Sequence, residues 1–227
     1  MNENKKKAVK IDISNLKKQF GSNQVLNGVN LFIKEGESLC LIGTSGCGKS
    51  VALKCLIGLI SAQSGSIKVD GQETIAQTKA EREALLSRFG MTFQFGALFD
   101  SLPIWENVTF RLRQKEKLSK KIAREIAGDI INQLGLAPDV LDLFPAELSG
   151  GMQKRAAIAR AIADKPEILL FDEPTSGLDP ITSGVINDLI LNSVNRLGAT
   201  ALTISHDMAS VRQIADTVAM LHKGKII

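Results

Sequence analysis

The residue types and spacing best suited to chemistry lie in Gly43-Thr44-Ser45-Gly46-Cys47-Gly48-Lys49-Ser50. Two glycines bracket four residues and are followed by Lys and Ser, the pattern of a phosphate-binding loop. Glycine permits the backbone angles and close approaches needed to turn N–H groups inward around a polyphosphate. The first turn of the next helix, Lys49-Ser50-Val51, adds the partial positive charge of a helix N-terminus. Lys49 has the reach for β- and γ-phosphates, and the Ser50 hydroxyl suits Mg²⁺. The plain alternative is a glycine-rich turn that happens to end in Lys-Ser. Against it, the apolar stretch 38–42 before the loop and the apolar helical stretch 51–57 after it supply the strand–loop–helix context that the motif requires.

Two carboxylates form a second candidate set. Asp172 and Glu173 follow the continuous apolar run 168–171, as expected of a parallel strand covered on both faces. Nucleotide sites in open α/β sheets form at the carboxyl ends of such strands. Asp172 can hold Mg²⁺ through its water shell, and Glu173 can polarise an attacking water. A third set is Leu148-Ser149-Gly150-Gly151-Met152-Gln153. Ser149 and the two glycines at a helix start make an anion-binding nest of free N–H groups, a hydroxyl and the helix dipole; alternatively Ser149 is an ordinary N-cap. Two anion sites so far apart in sequence suggest that two chains close around a shared nucleotide.

The rest of the chain must position these groups. Its 227 residues can bury a large core as one domain, and 44% hydrophobic with 23% charged content is ordinary for a globular protein. No apolar run is long enough to span a bilayer. The polar N-terminus lacks the core of a secretory signal, so a cytosolic location is expected. Cys40, Cys47 and Cys55 are odd in number and make neither a disulfide framework nor a spaced metal site. The net charge of +4 includes Lys5-Lys6-Lys7, read as a solvated tail. With no Tyr and the single Trp105, the chain offers no stacking surface for nucleic acid.

Along the chain, Val9, Ile11 and Ile13 alternate as one face of a half-buried strand. Residues 25–33 are extended and 34–37 turn. Ser64-Gly65 reads as a breaker, and 66–71 as a strand ending in an Asp70-Gly71 turn. Residues 96–163 read as a mostly helical insertion, with Ile122, Ile126, Ile130 and Leu134 four apart on one face of a helix that Gly135, followed by Pro138, ends. Helices are expected over 181–197 and 208–215, and strands over 199–204, 217–221 and 225–227. The predicted fold class is α/β: a phosphate-loop core with an N-terminal antiparallel β subdomain, both within 1–95 and 164–227, and the α-helical insertion. The sequence stops inside an apparent strand, so the natural protein is expected to continue past Ile227.

The order of these motifs resembles that of ATP-binding cassette (ABC) transporter ATPases over essentially the whole chain. The hexapeptide 148–153 resembles the ABC signature, a far more specific feature than the phosphate loop. The resemblance implies ATP and Mg²⁺ as ligands. It also implies that Ser176-Gly177-Leu178-Asp179 is the loop touching the partner subunit, so that Asp179 borders the nucleotide. His206 corresponds to the switch histidine contacting the γ-phosphate. Gln94 corresponds to the glutamine joining the Mg²⁺ site to the helical insertion. Phe20 is the candidate adenine-stacking aromatic in a chain without Tyr. A narrower resemblance, over 93–108 and in Met152, is to the Mla (maintenance of lipid asymmetry) ATPase subunits of Gram-negative phospholipid transport systems. It implies a homodimer on the cytoplasmic face of the inner membrane and an integral permease docked near 94–108. It further implies a small cytosolic regulatory subunit and a substrate-binding lipid-carrier subunit. Competing expectations are an ABC ATPase acting on nucleic acid or ribosomes, disfavoured by the single cassette and short insertion, and a nucleotide-gated module without turnover, disfavoured by the complete set Lys49, Ser50, Gln94, Asp172, Glu173 and His206.

Overall fold

The computed structural model describes residues 7–75, 77–94 and 96–227; Lys5 and Lys6 of the basic run and Phe95 of the 93–108 segment fall outside these. In chain order the elements are β1 (Val9–Phe20), β2 (Asn23–Lys34), β3 (Ser38–Ile42), α1 (Lys49–Leu56), β4 (Ser64–Val69), β5 (Gln72–Glu73), α2 (Lys79–Leu86) and β6 (Phe89–Thr92). They continue with α3 (Ile104–Glu116), α4 (Lys120–Gln133), α5 (Gly150–Ile162), β7 (Ile168–Asp172), α6 (Pro180–Leu197), β8 (Thr200–Ile204), α7 (Met208–Ile214), β9 (Thr217–His222) and β10 (Lys225–Ile226). Among the described residues no helix is long and apolar enough to cross a membrane.

Two sheets carry the molecule. The antiparallel one has the order β2-β1-β4-β5. Its alternating Ile11, Ile13, Leu16, Leu26, Val29, Ile33, Ile67 and Val69 are buried and pack with Leu53 and Leu56 of α1. Asp70 and Gly71 join β4 to β5 with φ of 49° and 75°, the doubly positive pair that matches the twist of a tight hairpin. Two expectations are corrected in this sheet. Val9 is 45% exposed while Lys10 is buried, because the pairing with β2 slips between Val9 and Ile11 and reverses the faces. Ser64-Gly65 does not break the chain but starts β4. Gly65 adopts φ +105°, and a Cβ there would lie 2.6 Å from Asn15 O and Leu16 Cα, so glycine serves close strand approach.

The second sheet has the order β10-β9-β3-β8-β7-β6, with β9, β3, β8, β7 and β6 parallel and β10 antiparallel to β9. Ile168 to Phe171 are each fully buried, as a continuous apolar run between two covering layers must be. On one face, Leu169 and Phe171 share a single core with Ile104, Trp105, Ile131, Ile158 and Ile190 of the helices, so the helical stretch packs directly on the sheet. Gly90 permits this contact, since a Cβ there would lie 2.1 Å from the Ala161 carbonyl oxygen of α5.

The buried stripe of α4 is centered one row away from the 122–126–130–134 face. Ala123, Ala127, Ile131 and Leu134 are buried, whereas Ile122 is 47% exposed and Ile126 and Ile130 flank the core. Small alanines let α4 approach α3 closely, and this wins over presenting the bulkiest side chains. Gly135 ends α4 with φ +68°, as expected. The sequence reading overlooked α2 and β6. A Thr78/Glu81 capping box starts α2, a legible signal, but β6 has only four residues, with Gly90 among them.

An ion cluster joins the two sheets at the entry to the parallel strands. Lys10 Nζ lies 3.0 Å from Asp70 and 2.6 Å from Glu167, and Arg88 reaches the same two carboxylates. Arg88 directly precedes β6 and Glu167 directly precedes β7, so the cluster sits at the opposite end of the sheet from Asp172.

Candidate functional site

The phosphate loop connects β3 to α1, in the middle of the parallel sheet. Its glycines are required by geometry at two positions. At Gly43 (φ +152°) a Cβ would strike the Leu221 carbonyl oxygen at 2.4 Å, and at Gly48 (φ +108°) it would crowd Val25 and Leu26 at 3.0 Å. Thr44, Ser45 and Gly46 form an exposed rim, with Cys47 half-buried behind them. Lys49 is buried, and its ammonium donates to Gly43 O at 2.8 Å and Thr44 O at 3.2 Å. The cation therefore lies across the loop that would cradle an anion. Val51 continues the first turn of α1, half-buried against the core.

Ser50 Oγ donates to Asp172 Oδ1 at 3.0 Å, so residues 122 apart in the chain meet. Asp172 is 5% exposed. Burial raises its pKa and the Glu173 charge adds to this, while the Ser50 hydrogen bond and the Lys54 and Lys49 charges oppose it. A hydroxyl and a largely desolvated carboxylate in contact form an oxygen donor set that fits Mg²⁺. Among the described residues there is no cluster of three or more His, Cys, Asp or Glu for a metal. Few protein ligands is the usual state of a Mg²⁺ site completed by water and substrate phosphate.

Glu173 adopts φ +51° and donates its N–H to Ile204 O at 3.0 Å, crossing from β7 to the end of β8. Its side chain is 12% exposed and meets His206, with Nδ1 2.7 Å from Oε2. On its other side His206 borders a cleft of about 450 Å³ between α6 and α7, lined by Ser183, Asn187 and Gln213 among others. Lys49, Ser50, Asp172, Glu173 and His206 thus gather at the carboxyl ends of β3, β7 and β8.

The remaining expected residues lie on other elements. Gln94 is exposed, two residues past the end of β6, whose last pair is Thr92 with Phe171. Phe20 is 47% exposed at the β1–β2 turn, with Lys18 Nζ 5.0 Å from its ring center. Val25 of the same hairpin touches Gly48, which brings Phe20 to the phosphate-loop side. Asp179 is the N-cap of α6, accepting from the Ile181 and Thr182 amides at 3.0 Å. Ser149 is the N-cap of α5, accepting from Met152 N at 3.4 Å. Gly150 and Gly151 face Leu178 and Thr182 of the following α6 segment. Within one chain, the Ser-Gly-Gly corner therefore abuts the 176–179 loop.

One residue at the site has no sequence signal. Lys154 of α5 donates to the carbonyl oxygens of Gln94 and, at 3.3 Å, of Glu173. Nothing in the spacing distinguishes it from the neighboring Arg155 and Arg160.

The sequence profile of the ABC transporter family matches residues 26–176. The chain is 39% identical over 96% of its length to the probable ribonucleotide transport ATP-binding protein mkl of Mycobacterium leprae, of which it spans 63%. It is 40% identical over 96% of its length to the methionine import ATP-binding protein MetN of Rhizobium johnstonii, of which it spans 59%. It is 37% identical over 96% of its length to the intermembrane phospholipid transport system ATP-binding protein MlaF of Haemophilus influenzae, spanning 82% of it. The chain thus spans about three fifths of the length of mkl and MetN. Among solved structures, the dimeric bacterial ABC transporter cassette MJ0796 superposes with a TM-score of 0.88 at 31% identity, covering 95% of this chain and 96% of that one. Its post-hydrolysis dimer bound to ADP and Pi superposes with a TM-score of 0.87 at the same identity and coverage. The fold, the phosphate loop joined to Asp172 and these relatives agree: the chain belongs to the ABC transporter family, as one of its ATP-binding domains.

Proposed function

We propose that the chain hydrolyses ATP as half of a homodimer and that this hydrolysis powers a membrane transporter. The observation that carries the reading is the Ser50–Asp172 contact beside Glu173 and His206, at the mouth of the phosphate loop. The loop amides and Lys49 bind and orient the triphosphate and stabilise charge that develops on the transferred group. Ser50 and Asp172, together with Gln94, would hold Mg²⁺, which would neutralise phosphate charge when bound. Glu173 holds an attacking water and takes its proton at a carboxylate oxygen, and His206 fixes the orientation of that carboxylate. Phe20 stacks on the base.

The Ser149-Gly150-Gly151 corner and Asp179 serve the nucleotide of the facing copy, because in their own chain the corner abuts the 176–179 loop. Closure is then a ligand-driven shift between open and closed dimers. The permease docks near 94–108 on the cytoplasmic face of the inner membrane. Phospholipid is the cargo in this reading, supported by the MlaF likeness and the 93–108 segment. A regulatory subunit and a lipid-carrier subunit complete the assembly. A second reading, transport of another solute, is favored by the mkl and MetN likenesses.

The test has two stages. Steady-state hydrolysis is measured for the chain and for Glu173→Gln, which is expected to bind ATP, trap a dimer and lose turnover; unchanged turnover removes Glu173 from its role. Co-purification with a multi-helix permease, followed by identification of the bound molecule, then separates phospholipid from another solute.

A further inference from the structure

The 94–97 loop and Glu173 are held by one helix. Lys154 lies one turn into α5, three residues past the Ser-Gly-Gly corner. Its ammonium bridges the backbone carbonyls of Gln94 and Glu173. Six residues on, Arg160 donates to Ala97 O and, at 3.2 Å, to Gly96 O. α5 therefore grips the loop on both sides of its center.

The grip matters most at Glu173. A non-glycine residue with positive φ is held there by its surroundings rather than by its own preference. Here φ is +51°, with the N–H tied to Ile204 O and the carbonyl accepting both Ser176 N, at 3.2 Å, and Lys154 Nζ. Burial lowers the Lys154 pKa, while the Glu173 and Asp172 charges favor the ammonium. A lysine withdrawn from water in this way has three donors to place, and it places two of them on two separate segments of the site.

We propose that Lys154 is a positioning residue that couples the Gln94 loop to Glu173: a single ammonium fixes both backbones, so displacing the loop or α5 removes support from the hydrolytic carboxylate. The effect rests on the ATPase reading of the same site. It acts through Glu173 orientation, not through contact with nucleotide.

The experiment compares the chain with Lys154→Met, which keeps the stem and removes the donors, and with Lys154→Arg, which restores them. For Lys154→Met, kcat is expected to fall about tenfold or more through misplacement of the carboxylate, with KM for ATP changed by about twofold at most. Lys154→Arg is expected to recover most of the loss. Hydrogen exchange provides a readout independent of turnover. The Gly96 amide, bonded to Phe93 O, and the Ser176 amide, bonded to Glu173 O, should both exchange faster in Lys154→Met and return toward the parent rate in Lys154→Arg. Unchanged kcat, parallel changes in kcat and KM without rescue by Arg, or acceleration of only one of the two amides would each overturn the proposal. A parent chain without turnover would sink the ATPase reading instead, and the paired amide response would still decide the coupling.

Discussion

His206 Nδ1 lies 2.7 Å from Glu173 Oε2, bridging the ends of β8 and β7. The carboxylate is nearly buried and the imidazole is 66% exposed, so the histidine reaches in from the solvent side. Removing it leaves Glu173 with its backbone held and its side chain free to rotate. His206→Ala is expected to lower kcat by about 10²-fold through misplacement of the Glu173 carboxylate, while ATP affinity stays nearly constant. Turnover assays paired with equilibrium nucleotide binding measure both. A large loss of affinity with kcat intact would contradict this role.

The Ser149-Gly150-Gly151 corner predicts a defect that appears only in pairs of chains. Ser149→Arg places a long cation at the N-terminus of α5 without touching the phosphate loop of its own chain. ATP-dependent dimerisation is expected to vanish and turnover to fall by about 10²-fold, the scale of one lost anion donor. Single-chain ATP binding should persist. Size-exclusion chromatography with and without ATP reads the first effect.

The ion cluster gives a pH signature. The Arg88 and Lys10 cations hold the Glu167 carboxyl well below the usual range, at about 2, and Asp70 is also lowered despite its desolvation. For a depressed acid, the stabilisation is full above the unfolded value near 4.5 and is lost as pH falls toward about 2. Half of the Glu167 side chain is in water, so the contribution is about 1 kcal/mol or less. Arg88→Ala should therefore destabilise the chain at pH 7 and much less at pH 2.5. Denaturant titrations at the two pH values check this, and an equal loss at both would refute it.

Gly90→Ala tests the contact of α5 with β6. The added carbon would meet the Ala161 carbonyl, Pro166 Cγ and Leu169 Cδ2 at 2.1, 2.7 and 2.9 Å. Overpacking of this kind costs about 2 kcal/mol, or a Tm decrease of about 4–8 °C for a chain of this size. Thermal melts measure it directly.

Much of this structure was legible where one local requirement dominated. The loop 43–50 needs glycines for its path, and Ile168 to Phe171 can only be a strand covered on both faces. β3, α1, β7 and the Gly135 stop followed from such constraints. Illegible features depended on distant partners. The outward turn of Val9 depends on a slip against β2 and on the carboxylates that draw Lys10 inward. The α4 stripe depends on how closely its neighbors approach, which favors Ala123 and Ala127 over Ile122. Lys154 is one of several basic residues in its helix until the fold brings two carbonyls to it.

The Lys10–Asp70–Arg88–Glu167 cluster has one more consequence. It splints the molecule at the wrist: the start of β1, the end of β4 and the entries of β6 and β7 are tied by charge, while Lys49, Ser50, Asp172, Glu173 and His206 sit at the fingertips. A lesion at the splint should shake the whole hand, lowering its melting point, before it changes how tightly the fingers hold ATP.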